Sequence, residues 1–273
     1  MEPASTPIID SHVHVWPRGL AHPFQKTPAP LLADPADLVA TLDASGVAAA
    51  LASPAMTYPD NGYVLGAAHT APRRLGAVVG ISPHDPDAIA TVERHAAVGA
   101  YAVRVNLGAT PLEGEVALAG LDALADATAA AGLVLQWTMR LPSAGLIERV
   151  AVRHPRLPQV FDHLGLPVDA TDLSQLARIR DLAAIPGLHI KLSGMYALSS
   201  TGYPYEDVWP WAEGVVAAFG AQRSLWASDW PLSMESASHA DLLALVSRLP
   251  FLDEDARRRV LGGTARALWP RLG

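Results

Sequence analysis

Two histidines separated by one residue form the strongest chemical signal in this sequence. They lie in the run Asp10-Ser11-His12-Val13-His14-Val15, whose apolar and β-branched residues are typical of a β-strand. Side chains alternate between the two faces of a strand, so Asp10, His12 and His14 are expected to share one face. Two imidazoles on one face can hold a Zn²⁺-like cation through nitrogen. The alternative is a polar pair satisfied by backbone and water, and so short a motif leaves both open.

Two further motifs place acid–base groups at the ends of predicted strands. Asp162 and His163 end the apolar run 159–163, and Asp229 ends the apolar run 224–229. A carboxylate at the end of an apolar strand needs a partner, a metal or a shifted pKa. The structural alternatives are a turn cap for Asp162 and His163, and a helix N-cap or loop position for Asp229.

Other polar side chains within predicted strands are candidates for contacting a ligand. Arg104 lies in an apolar strand, and its guanidinium suits bidentate recognition of a carboxylate, from the substrate or from the protein itself. Gln136 and Tyr196 are predicted to line the same pocket, although the pattern leaves open whether Gln136 or Trp137 faces inward. A lysine in the middle of a strand, such as Lys191, more often pairs structurally than acts as a catalytic amine.

Eight short apolar runs that alternate with helical segments must position these residues. The runs are 8–15, 47–53, 75–81, 101–106, 133–138, 159–163, 188–193 and 224–229, and helical spacing occupies 35–44, 86–97, 115–131, 143–154, 173–184 and 205–219. This rhythm predicts one (β/α)₈ TIM barrel over residues 1–273, with the motifs meeting at the C-terminal ends of its strands. A doubly wound open sheet is the alternative, but no glycine-rich nucleotide motif follows the first strand.

The composition excludes several classes of protein. Half of the residues are hydrophobic and 17% are charged, so the chain can bury a sizeable core. The formal net charge of −7 argues against nucleic-acid and anionic membrane partners. The absence of cysteine excludes thiolate zinc sites, iron–sulfur clusters and a cysteine nucleophile. The N-terminal residues show no signal-peptide pattern, so a cytoplasmic protein is expected. The sequence leaves open whether the protein forms homo-oligomers.

Four motifs spread from the first predicted strand to the last resemble one known family. They are His-Val-His at 12–14, Phe-Asp-His-Leu-Gly at 161–165, Lys-Leu-Ser-Gly at 191–194 and Ala-Ser-Asp-Trp-Pro at 227–231. Together they resemble the amidohydrolase superfamily, in its amidohydrolase-related group. The stretch from Lys191 to Tyr205 is similar to the lactonase branch of that group, which includes 2-pyrone-4,6-dicarboxylate lactonases and galactarolactone isomerases.

The resemblance implies a set of roles for the candidate residues. It implies that Asp229 activates the attacking water and that His12, His14 and His163 line the site. One divalent metal, zinc first among the candidates, would be held by these four residues. A metal-independent site is the alternative, since the pyrone lactonases require no metal. The resemblance also matches Ser53 with a serine that contacts substrate.

Two departures from the family pattern narrow the prediction. Metal-dependent decarboxylase-like relatives carry a histidine after the seventh strand, whereas Ser193 follows that strand here. Thr110 and Leu166 stand near positions where arginines that hold a dicarboxylate would be expected. A less acidic lactone than the pyrone dicarboxylate is therefore favoured.

These observations predict a hydrolase that opens the lactone of a small, carboxylated or sugar-derived substrate. Asp229 is the predicted base, with His12, His14 and His163 beside it. The predicted substrate contacts come from Arg104, Ser53, Gln136 and Tyr196. The alternatives are a non-oxidative decarboxylase on the same scaffold, a lactone isomerase, and a barrel that binds a ligand without turnover.

Overall fold

Eight parallel strands, each paired with the next in sequence, form the centre of this computed structural model. The structure describes residues 6–22, 31–55, 58–107 and 114–273. The strands are β1 Ile9–Val15, β2 Ala49–Pro54, β3 Leu75–Gly80, β4 Ala102–Asn106, β5 Val134–Thr138, β6 Gln159–Phe161, β7 Leu188–Leu192 and β8 Ser224–Trp226. Each predicted strand therefore exists, with ends that differ by up to three residues.

The barrel closes along a seam between β1 and the segment that follows β8. Val13 pairs in parallel with Trp230, and the His14 N–H donates to the Trp230 carbonyl over 2.7 Å. The Asp229 N–H donates to the His12 carbonyl over 3.0 Å. The predicted barrel is thus confirmed, and its seam joins the backbone of two predicted site residues.

Helices alternate with the strands and cover the outside of the barrel. They are α1 Pro35–Ser45, α2 Asn61–Thr70, α3 Ala88–Ala97, α4 Gly114–Ala130, α5 Gly145–Arg153, α6 Leu176–Ala183, α7 Met195–Leu198, α8 Trp209–Phe219, α9 His239–Arg248, α10 Glu254–Arg258 and α11 Thr264–Leu268. In the part of the chain that is described, no helix has both the length and the apolar character needed to cross a bilayer.

The first helix shows how local sequence sets these boundaries. The Asp34 side chain accepts hydrogen bonds from the N–H groups of Ala36 and Asp37, and Pro35 occupies the first turn, where no N–H is needed. The helix ends at Gly46, whose φ of 68° is the left-handed conformation that glycine adopts readily.

The two ends of the barrel interior differ in polarity. Apolar residues near the starts of the strands, among them Ile9, Leu51 and Val134, pack with Trp269 and Leu272 near the C-terminus. This apolar plug closes the N-terminal end of the barrel. The C-terminal end instead contains buried polar groups, and the candidate site is built there, as is usual for this fold.

A bulge in β1 corrects the predicted position of Asp10. The pairing with β2 shifts register between Asp10 and Val13, so strict alternation of side chains is lost there. Asp10 lies opposite Ala50, which packs between the strands and the helices, and its Oδ2 contacts His239 Nε2 of α9 at 3.1 Å. Asp10 therefore points out of the barrel and does not share a face with His12 and His14.

Candidate active site

Three ligand atoms from the two ends of the chain form a small triangle at the mouth of the barrel. The His12 and His14 Nε2 atoms lie 3.1 Å apart, and Asp229 Oδ1 lies 3.5 Å from the first and 3.4 Å from the second. All three side chains are buried. Since β1 supplies both histidines and the seam holds Asp229 beside His12, closure of the barrel creates this triangle.

The triangle has the dimensions and donor atoms of a cation site. Tetrahedral zinc with bonds of about 2.0–2.1 Å places its ligand atoms about 3.3 Å apart. Asp229 Oδ1 is buried, and none of the described residues forms a hydrogen bond with it. The His14 Nδ1 atom faces the carbonyls of Ser53 and Pro54 at 3.2 Å, so it carries the proton and Nε2 carries the lone pair. The residues present therefore fit a divalent cation.

The Asp229 carboxylate is held in one orientation. The Tyr196 hydroxyl donates to Oδ2 over 2.6 Å, which turns Oδ1 toward the histidines. Burial, followed by the nearby Asp229 charge, raises the pKa of Tyr196, so this hydroxyl remains a donor. Burial alone would raise the pKa of Asp229, but the neighbouring histidines, led by His163, outweigh it and hold that pKa below its usual range. The carboxylate is thus ionised and ready to accept a proton.

His163 approaches the same site from a strained turn after β6. Its φ is 50°, and Nδ1 lies 3.0 Å from Ser193 Oγ, so the serine after β7 fixes the ring. Gly194 permits this contact, because a Cβ at Gly194 would lie 2.9 Å from His163 Cβ. Burial lowers the pKa of His163, which keeps the imidazole neutral at neutral pH.

The structure does not place His163 in the triangle, although the sequence predicts it as a fourth metal ligand. Its ring centroid lies 5.0 Å from that of His12, and its ligand atoms group with those of His12 and Asp162. His163 lies in the turn after β6, which ends at Phe161, and the charge of Asp229 still acts on its pKa, so a role for His163 as a metal ligand stays a prediction.

Left-handed backbone marks both segments that carry the chemistry. Asp229 has a φ of 61°, and Leu164 and Leu166 beside His163 have φ values of 54° and 47°. Such conformations cost non-glycine residues about 1–3 kcal/mol each and cluster at functional sites. They also explain why β6 and β8 end earlier than the sequence predicts.

A buried charged layer supports His12 from below. Lys191 Nζ lies 2.9 Å from His12 Nδ1, 2.8 Å from Asp162 Oδ1 and 2.8 Å from Gln136 Oε1. Arg104 Nε donates to Asp162 Oδ2 over 3.0 Å. Burial opposes ionisation of Asp162, but Lys191 and Arg104 outweigh it and hold the pKa of this carboxyl well below its usual range.

The same layer keeps His12 neutral. Burial, followed by the positive charges of Lys191 and Arg104, lowers the pKa of His12 well below its ordinary value of 6.5. The sequence allowed a structural role for Lys191 but gave no link to His12. Lys191 is fully buried, and its register partner Leu225 belongs to the apolar plug inside the barrel. Lys191 therefore lies on the inner face of β7, and this position indicates its contact with His12.

The four predicted substrate contacts occupy different places around this site. Ser53 is completely buried, with Oγ 3.2 Å from His14 Nδ1, and Gln136 is completely buried beneath Lys191. Gln136 rather than Trp137 faces this layer, since the Trp137 indole donates to Gln159. Ser53 and Gln136 thus lie behind the site rather than on its wall. Thr110 lies outside the described residues.

An open cavity lies at the C-terminal ends of β2, β3 and β4, and its wall includes Pro54, whose carbonyl faces His14 Nδ1. Its volume is about 350 Å³, and Ser82, His84, Arg104 and Asn106 contribute polar groups to its wall. Arg104 joins the cavity to the charged layer because its Nε is bound to Asp162. The cavity has room for a small ligand.

Comparisons with known proteins agree with this arrangement. The sequence profile described as Amidohydrolase matches residues 9–271. A structure from Pseudomonas putida, described as a candidate 2-pyrone-4,6-dicarboxylic acid hydrolase, superposes with a TM-score of 0.79 at 28% identity, covering 97% of this chain and 98% of that one. An amidohydrolase structure from Burkholderia multivorans with bound zinc shares the fold, with a TM-score of 0.78 at 24% identity over 97% of this chain and 99% of that one.

Two relatives of known name match over shorter segments. An L-fucono-1,5-lactonase of Burkholderia ambifaria is 37% identical over 122 residues, which is 42% of each chain. A D-galactarolactone isomerase of Agrobacterium fabrum is 30% identical over 170 residues, covering 57% of this chain and 55% of that enzyme. The matches therefore span about two-fifths to just over half the length of these relatives.

Proposed function

This chain belongs to the amidohydrolase family, and on that premise we propose that it is an enzyme that hydrolyses the ring ester of a small lactone. The observation that carries the proposal is the buried Asp229 Oδ1, which lies 3.5 and 3.4 Å from two imidazole nitrogens at the end of the barrel that also contains an open cavity. The similarity to an L-fucono-1,5-lactonase supports a lactone as the ester.

Asp229 is the proposed general base. Its Oδ1 accepts a proton from a water molecule, whose oxygen forms a bond to the lactone carbonyl carbon. The ring C–O bond then breaks, and the departing oxygen takes the proton from Asp229, which restores the carboxylate. The Tyr196 hydroxyl on Oδ2 keeps the accepting oxygen aimed at the water throughout.

The histidines are proposed to stabilise the charge that develops on the carbonyl oxygen. His163 is neutral, buried and fixed by Ser193, so it can act as a preorganised hydrogen-bond donor without reorganising. When a divalent cation is bound, His12, His14 and Asp229 would hold it, and it would lower the pKa of water from 15.7 to about 7. Zinc is the proposed metal, since the donor set is two imidazoles and a carboxylate.

A sugar-derived lactone with at most one carboxylate is the proposed substrate. Asp162 already pairs with Arg104, so this guanidinium offers less positive charge to a ligand than an unpaired one would. The remaining polar groups of the cavity wall, from Ser82, His84 and Asn106, suit hydroxyl groups. Leu166, at a position where a further arginine was expected, adds no charge.

A panel of lactones tests the proposal. Aldonic 1,5- and 1,4-lactones and carboxylated lactones are incubated with the enzyme, and acid release is followed with a pH indicator. Asp229→Asn protein at the same concentration corrects for spontaneous hydrolysis. The reaction is repeated in H₂¹⁸O, where hydrolysis places one ¹⁸O in the product carboxylate.

The isotope separates the two lactone chemistries. Turnover with ¹⁸O incorporation supports the hydrolase. Conversion of one lactone into another without ¹⁸O would show intramolecular attack by a substrate hydroxyl, the reaction that the similarity to a D-galactarolactone isomerase would favour. No turnover of any lactone above the Asp229→Asn background would overturn the proposal.

A further inference from the structure

We infer that Gly80, at the end of β3, determines how large a substrate the enzyme accepts. The absence of a side chain there leaves a recess in the cavity wall, bounded by Gly80, Pro54 and Asn61, and this recess receives the exocyclic substituent of a hexonolactone. The inference rests on the proposed function and deepens it, because it concerns which lactones enter the cavity. It follows from the strand pairing around Gly80 and from the space beside its Cα.

Gly80 lies on the inner face of the barrel. Val78, two residues earlier on β3, belongs to the apolar plug inside the barrel, and side chains alternate between the faces of a strand. A side chain at residue 80 would therefore point inward, one layer closer to the mouth than Val78. Gly80 also pairs with Arg104 of β4, whose side chain turns inward to Asp162. The inner layer that contains Arg104 thus lacks a side chain on β3.

The barrel wall opens between β2 and β3 at this level. The pairing of the two strands ends at Ala52 and Ala77, and β2 itself ends at Pro54, which has no N–H to donate. The Asn61 side chain takes the place of a strand partner, since its Nδ2 donates to the Gly80 carbonyl over 2.9 Å and its Oδ1 accepts from the Gly80 N–H over 2.7 Å. These two hydrogen bonds fix the end of β3, so the gap is present before a substrate binds.

The space beside Gly80 is open. A Cβ at this position would lie 3.4 Å from Pro54 Cγ and 3.8 Å from Asn61 Oδ1, which are ordinary contact distances, and no closer contact arises within the described part of the chain. The φ of Gly80 lies outside the left-handed region, so a substitution causes no backbone strain. Gly80 is exposed, whereas the rest of β3 is buried, and it lines the cavity of about 350 Å³. A side chain at residue 80 would therefore occupy part of the cavity.

The recess lies away from the proposed reacting groups. Adjacent strands of a sheet are about 4.8 Å apart, so β3 lies about 10 Å along the sheet from β1, which carries His12 and His14. The recess therefore receives a part of the lactone outside the ester group. A substituent such as CH₂OH fills the room that the glycine leaves.

Two pairs of lactones test the inference. D-Glucono- and D-xylono-1,5-lactone share one ring configuration, as do D-galactono- and L-arabinono-1,5-lactone, and the members of each pair differ by one exocyclic CH₂OH group. The kcat/KM for each lactone is measured with the wild type, Gly80→Ala and Gly80→Val. Gly66→Val is the matched control, because Gly66 is an exposed glycine of α2 and an added Cβ there has no described atom within 4 Å.

The inference predicts a change in the preference between the members of a pair. In Gly80→Val, kcat/KM for the hexonolactone should fall about tenfold or more relative to its pentonolactone partner, mainly through KM. Gly80→Ala adds one methyl group at contact distance and should fold, so it should show a smaller fall in the same direction even if the valine variant does not fold. Gly66→Val should keep the wild-type preference.

The possible failures are distinguishable. An unchanged kcat/KM for the hexonolactones in the Gly80 variants, or equal losses on both members of a pair, would overturn the inference and leave the proposed function standing. A wild type that hydrolyses other lactones but neither hexonolactone would do the same. A wild type that hydrolyses no lactone would overturn the proposed function, and this inference with it.

Discussion

Replacing Asp10 by alanine should destabilise the barrel at its seam rather than damage the chemistry. The Asp10 Oδ1 atom accepts hydrogen bonds from the N–H groups of His12 and Ser228, at 3.2 and 3.0 Å. Its Oδ2 atom contacts His239 Nε2 at 3.1 Å. One completely buried carboxylate therefore links β1, the segment after β8 and α9.

The expected loss follows from these three contacts. Leaving a buried donor without its acceptor costs about 1–3 kcal/mol, so three of them amount to about 3–9 kcal/mol. In a chain of this size each kcal/mol shifts the melting temperature by about 2–4 °C, which predicts a fall of at least about 6 °C for Asp10→Ala. Asp10→Asn keeps an acceptor oxygen for the two backbone N–H groups, so its loss should be about 1–2 kcal/mol.

Thermal melts and denaturant titrations of both variants measure these losses. Asp43→Ala is a matched control, because that exposed carboxylate pairs with Arg74 at the surface, where a pair contributes less than about 1 kcal/mol. Asp10→Asn should retain nearly wild-type turnover at temperatures where it is folded. A large fall in kcat for Asp10→Asn with an unchanged melting temperature would refute the reasoning, because Asp10 would then act inside the site, as strict alternation predicts.

Three further outcomes follow from the site. Arg104→Met should lower kcat/KM equally for anionic and neutral lactones, because Arg104 pairs with Asp162, and a loss confined to anionic lactones would contradict this. Tyr196→Phe removes a hydrogen bond to a charged acceptor, which contributes about 1.5–3 kcal/mol. The kcat should therefore fall at least tenfold with little change in KM. An unchanged kcat would show that Asp229 does not need this hydrogen bond. Any acid limb in the pH profile of kcat/KM should be centred below pH 6.5, since the pKa values of His163 and Asp229 are lowered, and an acid limb centred above 6.5 would contradict this.

The barrel could be predicted because its strands are buried on both faces. Such strands appear in a sequence as short, almost continuous apolar runs, and eight of them separated by helices leave few topologies. The helix Asn61–Thr70 was not predicted, because Gly62 and Gly66 interrupt it and its apolar residues form no clear face. Strand ends were least accurate where the backbone becomes left-handed, before His163 and Asp229.

The residue types of the site could be predicted, but their grouping could not. Period-two alternation put Asp10 with His12 and His14, and only the bulge in β1 reveals that Asp10 leaves the barrel. The ligand atoms of His12, His14 and Asp229 lie within reach of one cation, whereas those of His163 group with His12 and Asp162, so its role as a fourth ligand stays a prediction. These outcomes depend on strand register and on the local backbone conformation, which cannot be predicted from the residue type at a single position.

The kcat of Asp229→Asn, measured with the melting temperature of the same preparation, tests the central claim most directly. Asparagine preserves the shape of the side chain and removes the proton acceptor, so kcat should fall by at least 10²–10⁴-fold, as is typical of a lost general base. The protein should remain folded, because asparagine keeps an acceptor oxygen for the Tyr196 hydroxyl and Asp229 Oδ1 has no hydrogen-bond partner among the described residues. Retention of most of the activity would show that another residue is the base, and loss of the fold would show that Asp229 is a structural residue of the seam.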